Sequence, residues 1–369
     1  MAGIYIHIPF CKQKCTYCDF ASYPNQMAKA ELYFGCLYKE IKAKKDLLKG
    51  KKIDTIYFGG GTPSYVDAKY ILGAVRQIKN CYNVAENAEI TLEVNPGTID
   101  RQKLEIYKLA GINRYSVGLQ TYNDSLLKRL NRIHTAQDYL DCMELLKGYN
   151  TSVDIMIGLM DQTVEEVKKS IDFALKGDVN HISVYALKAE DGTPIYTQYL
   201  NAELPDSDEV AEMYDFTVNY LAEKGYDRYE VSNFAKAGFE SRHNLNYWKR
   251  GEYLGFGLGA SSFCLERRFT NTEKIDEYIN AILKNYSAEI FSEKIEGQEQ
   301  KFEFVMLNLR TNKGVVFSEY FNAFKSHFKE DFKDKLPYVL EYMVETEESI
   351  KIKDEYLYVQ NQIIIQLMD

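Results

Sequence analysis

The sequence lacks three features that would assign it to large classes of proteins. Its 369 residues contain no run of about 18 apolar side chains, which excludes an ordinary transmembrane helix. Only 7 prolines occur and 46% of the residues are hydrophobic, which argues against extensive disorder. The net charge of -9 argues against a general nucleic-acid-binding surface, because neutralising phosphates takes clustered Lys and Arg.

The amino terminus also lacks the basic flank and apolar stretch of a signal peptide, so we expect a cytoplasmic protein. Disulfides are disfavoured in that reducing compartment. Four of the seven cysteines are far apart in the sequence and are interpreted as buried thiols. These four are Cys36, Cys81, Cys142 and Cys264.

The other three cysteines, Cys11, Cys15 and Cys18, have C-x-x-x-C-x-x-C spacing. Residues 3–8 before them alternate in the manner of a strand with one buried face, and Pro9 ends that strand. The cysteines are therefore predicted to lie on a loop at its carboxyl end. Thiolates this close favour a shared soft metal centre. A 4Fe–4S cube normally takes four cysteines, so three ligands leave one iron open to a small molecule.

Two other interpretations of these cysteines stay open. A structural zinc ion needs a fourth ligand, and His7 is near in sequence. On a strand, however, residues two apart share a face, and His7 is expected to line the mouth of a barrel instead. Unrelated thiols are the second alternative, and the spacing favours iron–sulfur over both.

Six strand-like segments alternate with helical segments up to about residue 188, which predicts right-handed βα units and a mostly parallel sheet. This series fits a complete or partial (β/α) barrel better than a doubly wound sheet. Glycine-rich or polar positions lie at or just beyond successive strand ends, the edge that carries the active site in such barrels. A charged Glu93 or Asp154 inside an apolar strand also needs a partner or a ligand. The strand-end positions are Gly59 to Thr62, Glu93 with Asn95, and Gln120.

Three parts are predicted along the chain: a barrel over residues 1–235, a linker region over 236–290, and a winged-helix-like domain over 291–369. The last part contains predicted helices and a hairpin whose turn is Lys353-Asp354-Glu355. It has nine Lys or Arg against fourteen Asp or Glu from residue 296 onward, so we expect a packing or interaction surface and no contact with nucleic acid. Its helices are predicted at 297–310, 317–328 and 331–345.

Together these motifs resemble the radical S-adenosylmethionine (SAM) superfamily, in the group that contains oxygen-independent coproporphyrinogen III oxidase (HemN) and the heme chaperone family HemW. The matching stretches are YIHIPFCKQKCTYCDF, GGGTPS, LEVNPG, SVGLQTYN, NRIHT, VDIMIGL and ISVYALKAEDGT. The resemblance implies a partial (β/α)6 TIM-like barrel, a 4Fe–4S cluster on Cys11, Cys15 and Cys18, and SAM on the open iron. It also implies contacts to SAM, or to a second small-molecule position, from Tyr5, Gly60, Gly61, Thr62, Glu93, Gln120, Arg132 and Asp154.

Three departures from the oxidases favour the heme chaperone family. The oxidases carry a fourth cysteine two places after the third, where this chain has Phe20. They also have an amino-terminal extension, whereas this chain starts two residues before its first strand. Finally, the HNLNYW stretch matches the H-N-x-x-Y-W heme motif of that family, although alone it indicates only a hydrogen-bonded histidine among core aromatics. The motif residues are His243, Asn244, Tyr247 and Trp248.

The resemblance implies a chaperone that binds heme and passes it to heme-accepting respiratory proteins, with an electron donor for its cluster. Peripheral contact with the membrane and a homodimer stay open. Two enzymatic alternatives remain at this point. One is oxidative decarboxylation of coproporphyrinogen III, and the other is heme degradation by a radical SAM methyltransferase.

Overall fold

A twelve-stranded sheet runs through the computed structural model, which describes residues 2–201 and 203–368. Its order is β12-β11-β10-β9-β1-β2-β3-β4-β5-β6-β8-β7. Neighbouring strands from β1 to β6 are parallel, β9 is parallel to β1, and the remaining pairs are antiparallel. In chain order the strands are β1 (Ala2–Ile8), β2 (Lys52–Gly60), β3 (Asn83–Val94), β4 (Arg114–Gln120), β5 (Asn150–Ile157), β6 (His181–Ala186), β7 (Asp227–Glu230), β8 (Asn233–Ala235), β9 (Glu252–Phe256), β10 (Ser261–Cys264), β11 (Arg267–Asn271) and β12 (Glu289–Lys294).

Helices connect the parallel strands and pack on the outside of the sheet. Several begin at side-chain caps, including the capping boxes Thr135 with Asp138 and Asp206 with Glu209. In chain order the helices are α1 (Ala30–Ala43), α2 (Ala68–Cys81), α3 (Arg101–Ala110), α4 (Asp124–Arg129), α5 (Ala136–Leu145), α6 (Val164–Leu175), α7 (Pro194–Leu200), α8 (Ser207–Glu223), α9 (Arg242–Trp248), α10 (Ile275–Asn285), α11 (Gln298–Asn308), α12 (Phe317–Phe324), α13 (Phe328–Asp331) and α14 (Gln360–Ile365).

Strand β1 shows how the alternating pattern builds the barrel. Ile4, Ile6 and Ile8 are fully buried in the hydrophobic core between sheet and helices. Tyr5 and His7 point to the opposite face, which is the inside of the barrel. The same alternation sends polar side chains of the other parallel strands to the interior, where they form the wall of a cavity.

The segment 236–290, predicted as a linker, is part of the sheet and not a linker. Its strand β9 adds to the edge of β1 and forms a seventh parallel strand. Gly257 allows this pairing, because its φ is +96° and a Cβ atom there would lie 2.8 Å from the carbonyl oxygen of His7. Strand β9 has only five residues, which is too few for hydrophobic periodicity to predict it from the sequence.

Glu40 of α1 fastens this added edge to the barrel although its carboxylate is fully buried. It accepts hydrogen bonds from the backbone N–H of Gly257 at 2.9 Å and from the hydroxyl of Tyr278 at 2.8 Å. Asn271 Nδ2 donates at 2.7 Å, and Lys44 Nζ forms an ion pair at 2.8 Å. Every oxygen of this buried anion is therefore paired, as its removal from water requires.

The carboxyl-terminal part combines helices α11 to α14 with a small antiparallel sheet of order β13-β15-β14. The predicted helix over 331–345 and the hairpin turn at 353–355 are wrong. Residues 336–342 form 3-10 turns, and the hairpin turn lies at 346–348, where the Thr346 hydroxyl accepts from the backbone N–H of Ser349 at 3.0 Å. The strands are β13 (Val315–Val316), β14 (Met343–Glu345) and β15 (Ser349–Ile352).

The partial barrel with a helical carboxyl-terminal part agrees with the fold predicted from the sequence. Across residues 2–201 and 203–368, no helix has the length and apolar character needed to cross a membrane.

Candidate functional site

A cavity of about 390 Å³, here called the barrel cavity, opens where the cysteine loop meets the carboxyl ends of the parallel strands. The loop contributes all three cysteines to its wall. Seven of the eight residues predicted to contact SAM also line it, and Tyr5 does not. The seven are Gly60, Gly61, Thr62, Glu93, Gln120, Arg132 and Asp154.

The cysteine loop follows β1, and a two-residue strand, Phe10–Cys11, pairs with Tyr23–Pro24 to close it. Cys11 is buried, whereas Cys15 and Cys18 are partly exposed. Burial raises the pKa of Cys11 to about 11, with a smaller contribution from the neighbouring cysteines. Burial likewise raises the pKa of Cys18. Binding a metal centre must therefore displace protons from these thiols.

Arg132 holds the loop against the strand ends. Its guanidinium donates to Cys15 Sγ at 3.6 Å, to Asn95 Oδ1 at 2.7 Å and to the carbonyl of Gly118 at 3.0 Å. Its Nε is buried without a hydrogen-bond partner. The guanidinium thus brings positive charge to the place where an anionic cluster and the ligand on its open iron would lie.

The donor set of the three thiols suits an iron–sulfur cluster. In the described residues, no three His, Cys, Asp or Glu side chains converge closely enough to hold one metal ion. Because a 4Fe–4S cube is larger than a single ion, its ligand sulfurs stand farther apart than those of a mononuclear site. A three-thiolate donor set on a loop that borders a cavity suits such a cube, with the open iron facing the cavity.

His7, the alternative fourth ligand for zinc, uses both ring nitrogens elsewhere. Its Nε2–H donates to the carbonyl of Ala21 at 2.9 Å, so Nδ1 accepts from the Tyr5 hydroxyl at 3.2 Å. Burial lowers the pKa of His7 to about 4, which keeps the ring neutral. The side chain therefore supports the cysteine loop through Ala21.

The glycine turn at the end of β2 brings backbone close to this loop. A Cβ atom on Gly60, whose φ is +117°, would lie 2.7 Å from the ring of His7. One on Gly61 would lie 2.9 Å from the carbonyl oxygen of Phe10. Only glycine permits both contacts. The turn also directs the Gly60 N–H to Glu93 Oε2 at 3.1 Å.

Two carboxyl groups, Glu93 and Asp154, face the barrel cavity from β3 and β5. Desolvation, followed by the charge of Asp154, raises the pKa of Glu93 to about 7 even though Tyr57 Oη donates to it at 2.9 Å. Desolvation also raises the pKa of Asp154, to which the Ser116 hydroxyl donates at 3.3 Å. A cationic ligand would restore both charges, and SAM carries an ammonium and a sulfonium. These residues therefore fit SAM.

A second cavity of about 480 Å³, here called the lateral cavity, lies beside the cysteine loop between β1, the added strands and α11. Tyr5, Tyr247, Tyr253 and Phe263 give it an aromatic wall. Asp19 and Phe20 border both cavities, and Phe20 is 61% exposed. The residue that stands in place of a fourth cysteine of the oxidases thus lies where two binding-sized spaces meet.

The HNLNYW motif forms α9, and its side chains point in different directions. His243 is only 1% exposed, and its two nitrogens lie 2.8 Å from Thr55 Oγ1 and 2.8 Å from Tyr247 Oη. Asn244 lines the barrel cavity and Tyr247 the lateral cavity, whereas Trp248 lines neither. In this arrangement His243 has no free nitrogen to offer a heme iron, and the ring positions Tyr247.

Sequence reasoning missed several lumenal residues, because it concentrated on polar and glycine-rich positions at the carboxyl ends of the earlier strands. Period-two alternation back from Gln120 would have found Ser116 and Arg114. Alternation back from Gly59 would have found Tyr57. The missed residues are Tyr57, Arg114, Ser116, Ser183 and Tyr185.

The model of the Radical SAM superfamily matches residues 5–174. Heme chaperone HemW of Lactococcus lactis is 35% identical over 332 residues, which cover 87% of this chain and 84% of that protein. HemW of Haemophilus influenzae is 34% identical and covers 95% and 94% of the two chains. This chain belongs to the HemW family. Membership in the radical SAM superfamily implies a 4Fe–4S cluster and SAM.

Coproporphyrinogen III oxidase (HemN) from Escherichia coli has the same fold as this HemW family member. The TM-score is 0.87 over 99% of this chain and 89% of that one. The sequence identity is 21%, so the likeness establishes the fold alone. The predicted partial barrel of radical SAM type is thereby confirmed.

Replacing Cys11, Cys15 or Cys18 with Ala should abolish the cluster, since each would remove one of three ligands. Iron and sulfide content and visible absorbance after anaerobic reconstitution measure this. Cys81→Ala, remote from the loop, is the matched control and should load normally. A normal cluster in any of the three loop variants would refute the ligand assignment.

Glu93→Gln should change how stability depends on pH. A carboxyl group whose folded pKa is raised destabilises the fold as pH rises from its ordinary value of 4.5 to its folded value of about 7. The variant does not lose stability in this way. The difference in melting temperature, variant minus wild type, should therefore be larger at pH 8 than at pH 5. The melting temperatures are measured on protein without the cluster. Glu105→Gln, which changes an exposed side chain of α3, is the control. An unchanged difference between the two pH values would contradict the assignment.

Proposed function

We propose that this protein is a heme chaperone, which binds heme in the lateral cavity and releases it to heme-dependent proteins. The observation that carries the proposal is a second, aromatic-lined space beside the cysteine loop and the motif helix α9. Relatives named heme chaperone HemW, with 31–40% identity, support it.

The lateral cavity suits a flat aromatic ligand with acidic arms. The Tyr247 and Tyr253 rings meet edge to face, with centroids 4.6 Å apart, and offer a surface for a porphyrin plane. Arg250 and Arg268 line the same space and pair with Glu303 of α11. Propionate groups would compete with Glu303 for these guanidinium groups. The hydroxyl of Tyr247, held by His243, is the motif group nearest to such a ligand.

The barrel cavity serves a separate purpose in this proposal. Cys11, Cys15 and Cys18 would hold a 4Fe–4S cluster, which would supply one electron for the reductive cleavage of SAM. Glu93, Asp154 and the Gly60–Thr62 turn would hold SAM, and Arg132 would orient the loop. Phe20 lies where this space meets the lateral cavity.

Several partners follow from the proposal. They are heme, heme-accepting proteins of respiration and an electron donor that docks near the partly exposed Cys15 and Cys18. Peripheral contact with a membrane would bring the protein close to membrane-bound recipients. A homodimer is compatible with the proposal, which does not require one. The acidic net charge of -9 disfavours nucleic acid.

The rival function is oxidation of coproporphyrinogen III, which the fold likeness to HemN favours. Phe20 argues against it, since the sequence of this loop departs there from the oxidase pattern.

Anaerobically reconstituted protein loaded with heme should transfer heme to an apo heme protein. The absorbance spectrum of the acceptor measures this transfer. In parallel, it should form no protoporphyrinogen from coproporphyrinogen III with SAM and reductant. Turnover without heme transfer would overturn the proposal.

Leu307→Trp should weaken heme binding at least tenfold, because the larger ring would fill the lateral cavity that Leu307 lines. A tenfold change corresponds to about 1.4 kcal/mol. Leu283→Trp, on the exposed face of α10, is the control and should bind heme normally. A heme titration monitored by absorbance measures the heme affinity of both variants. Wild-type affinity in Leu307→Trp would place heme elsewhere.

A further inference from the structure

Tyr253 belongs to a row of side chains that crosses the added strands β9, β10 and β11. Its partner in register on β10 is Phe263, and the partner of Phe263 on β11 is Arg268. Residues paired in register direct their side chains to the same face of a sheet. All three line the lateral cavity. The added strands therefore direct a phenol, an apolar ring and a guanidinium into this one space.

The Tyr253 hydroxyl is available to a ligand. Within residues 2–201 and 203–368, no group accepts a hydrogen bond from it. The side chain is half-buried and lines the cavity, so its oxygen is reached from that space. Desolvation raises the pKa of this phenol, whereas the charge of Arg268 acts in the opposite direction. The oxygen is thus open to a ligand and has a cation beside it.

The other aromatic side chains with donor atoms in the lateral cavity are engaged in hydrogen bonds. The Tyr5 hydroxyl donates to His7 Nδ1 at 3.2 Å, and His7 Nε2 lies 2.9 Å from a carbonyl oxygen of the cysteine loop. Tyr247 Oη lies 2.8 Å from Nε2 of His243. Each would have to give up a buried hydrogen bond to bind a ligand, and Tyr253 would not.

The remaining oxygen donors of the cavity are less suited to bind iron. The Glu303 carboxylate pairs with two arginines, and the Ser261 hydroxyl lies 3.0 Å from Thr270 Oγ1. Asp19 and Glu273 are exposed to water at the rim. Cysteine and methionine, two other usual ligands of heme iron, are absent from the described residues that line this cavity. Tyr253 is therefore the donor best placed for iron.

Tyr247 and Tyr253 have the mutual orientation that an axial ligand needs. Their rings stand at 76° to each other, with centroids 4.6 Å apart. A porphyrin that lies flat against Tyr247 therefore stands at a steep angle to the Tyr253 ring. A phenol binds iron through an oxygen at the edge of its ring, so it must approach the porphyrin plane at such an angle. Stacking on Tyr247 and iron binding by Tyr253 are compatible.

We propose that Tyr253 is the axial ligand of heme iron in the lateral cavity, which makes the cavity selective for ferric heme. The inference rests on the proposed function, because it places heme in this cavity. Tyrosine is an axial ligand of heme iron in catalase, and a hard anionic phenolate prefers ferric to ferrous iron. On binding, an iron–oxygen bond forms and the phenol proton passes to solvent, while the iron keeps its oxidation state. The Arg268 guanidinium stabilises the phenolate.

Tyr253→Phe tests this, because it keeps the ring and removes the oxygen. Tyr338→Phe, at a side chain that is 67% exposed, is the control. Ferric heme, ferrous heme and metal-free protoporphyrin IX are titrated into each reconstituted protein and followed by difference absorbance. Wild type and control should bind ferric heme about tenfold or more tighter than ferrous heme and show phenolate-to-iron charge-transfer absorption. Tyr253→Phe should lose both features, and its affinity for protoporphyrin should change less than about twofold.

Unchanged ferric affinity and charge-transfer absorption in Tyr253→Phe would overturn the inference and leave the proposed function intact. Loss of this absorption in Tyr247→Phe, with retention in Tyr253→Phe, would do the same. Equal weakening of ferric heme and protoporphyrin binding in Tyr253→Phe would show that the side chain only packs against the ring, and would also overturn the inference. A wild type that binds no heme would overturn the proposed function and the inference together.

Discussion

The cost of removing charge from water governs how this molecule is built. A buried charge that stabilises the fold is fully paired. The Glu40 carboxylate accepts hydrogen bonds from Gly257, Asn271 and Tyr278 and forms an ion pair with Lys44. Inside the barrel, hydrogen bonds compensate the burial of the carboxyl groups only in part. The pKa values of Glu93 and Asp154 are raised by desolvation, and Arg114 has no partner among the described residues. A protein that tolerates such groups gains stability when ligands pair with them, so the electrostatics of the barrel interior favour ligand binding.

The cysteine loop links this interior to a second space. His7 holds the loop through Ala21, and Arg132 holds it through Cys15. Phe20 at the end of the loop borders both cavities. In an oxidase, a substrate must reach the radical generated at SAM. The aromatic lateral cavity lies beside the barrel cavity and shares Asp19 and Phe20 with it, so a cargo bound there would be next to the cysteine loop but not in the space proposed for SAM.

Much of the site could be predicted from the sequence, because its determinants are local. Cysteine spacing, the glycine turn and charged residues near strand ends are visible in a few adjacent letters. Tyr5 and His243 illustrate what was not visible. Both belong to recognisable motifs, but their direction depends on β9, which pairs with β1 from about 250 residues away. The hairpin near the carboxyl end was misplaced for a related reason, since strands of three or four residues pair through tertiary contacts and not through their own periodicity.

The central claim is that the cluster and the cargo occupy different cavities of one protein. Crystals of anaerobically reconstituted protein with heme, measured at the iron absorption edge, test this most directly. The account predicts two separate iron sites, one at Cys11, Cys15 and Cys18 and one in the lateral cavity next to Tyr247. A heme iron inside the barrel cavity, or heme bound only at the outer surface, would contradict it.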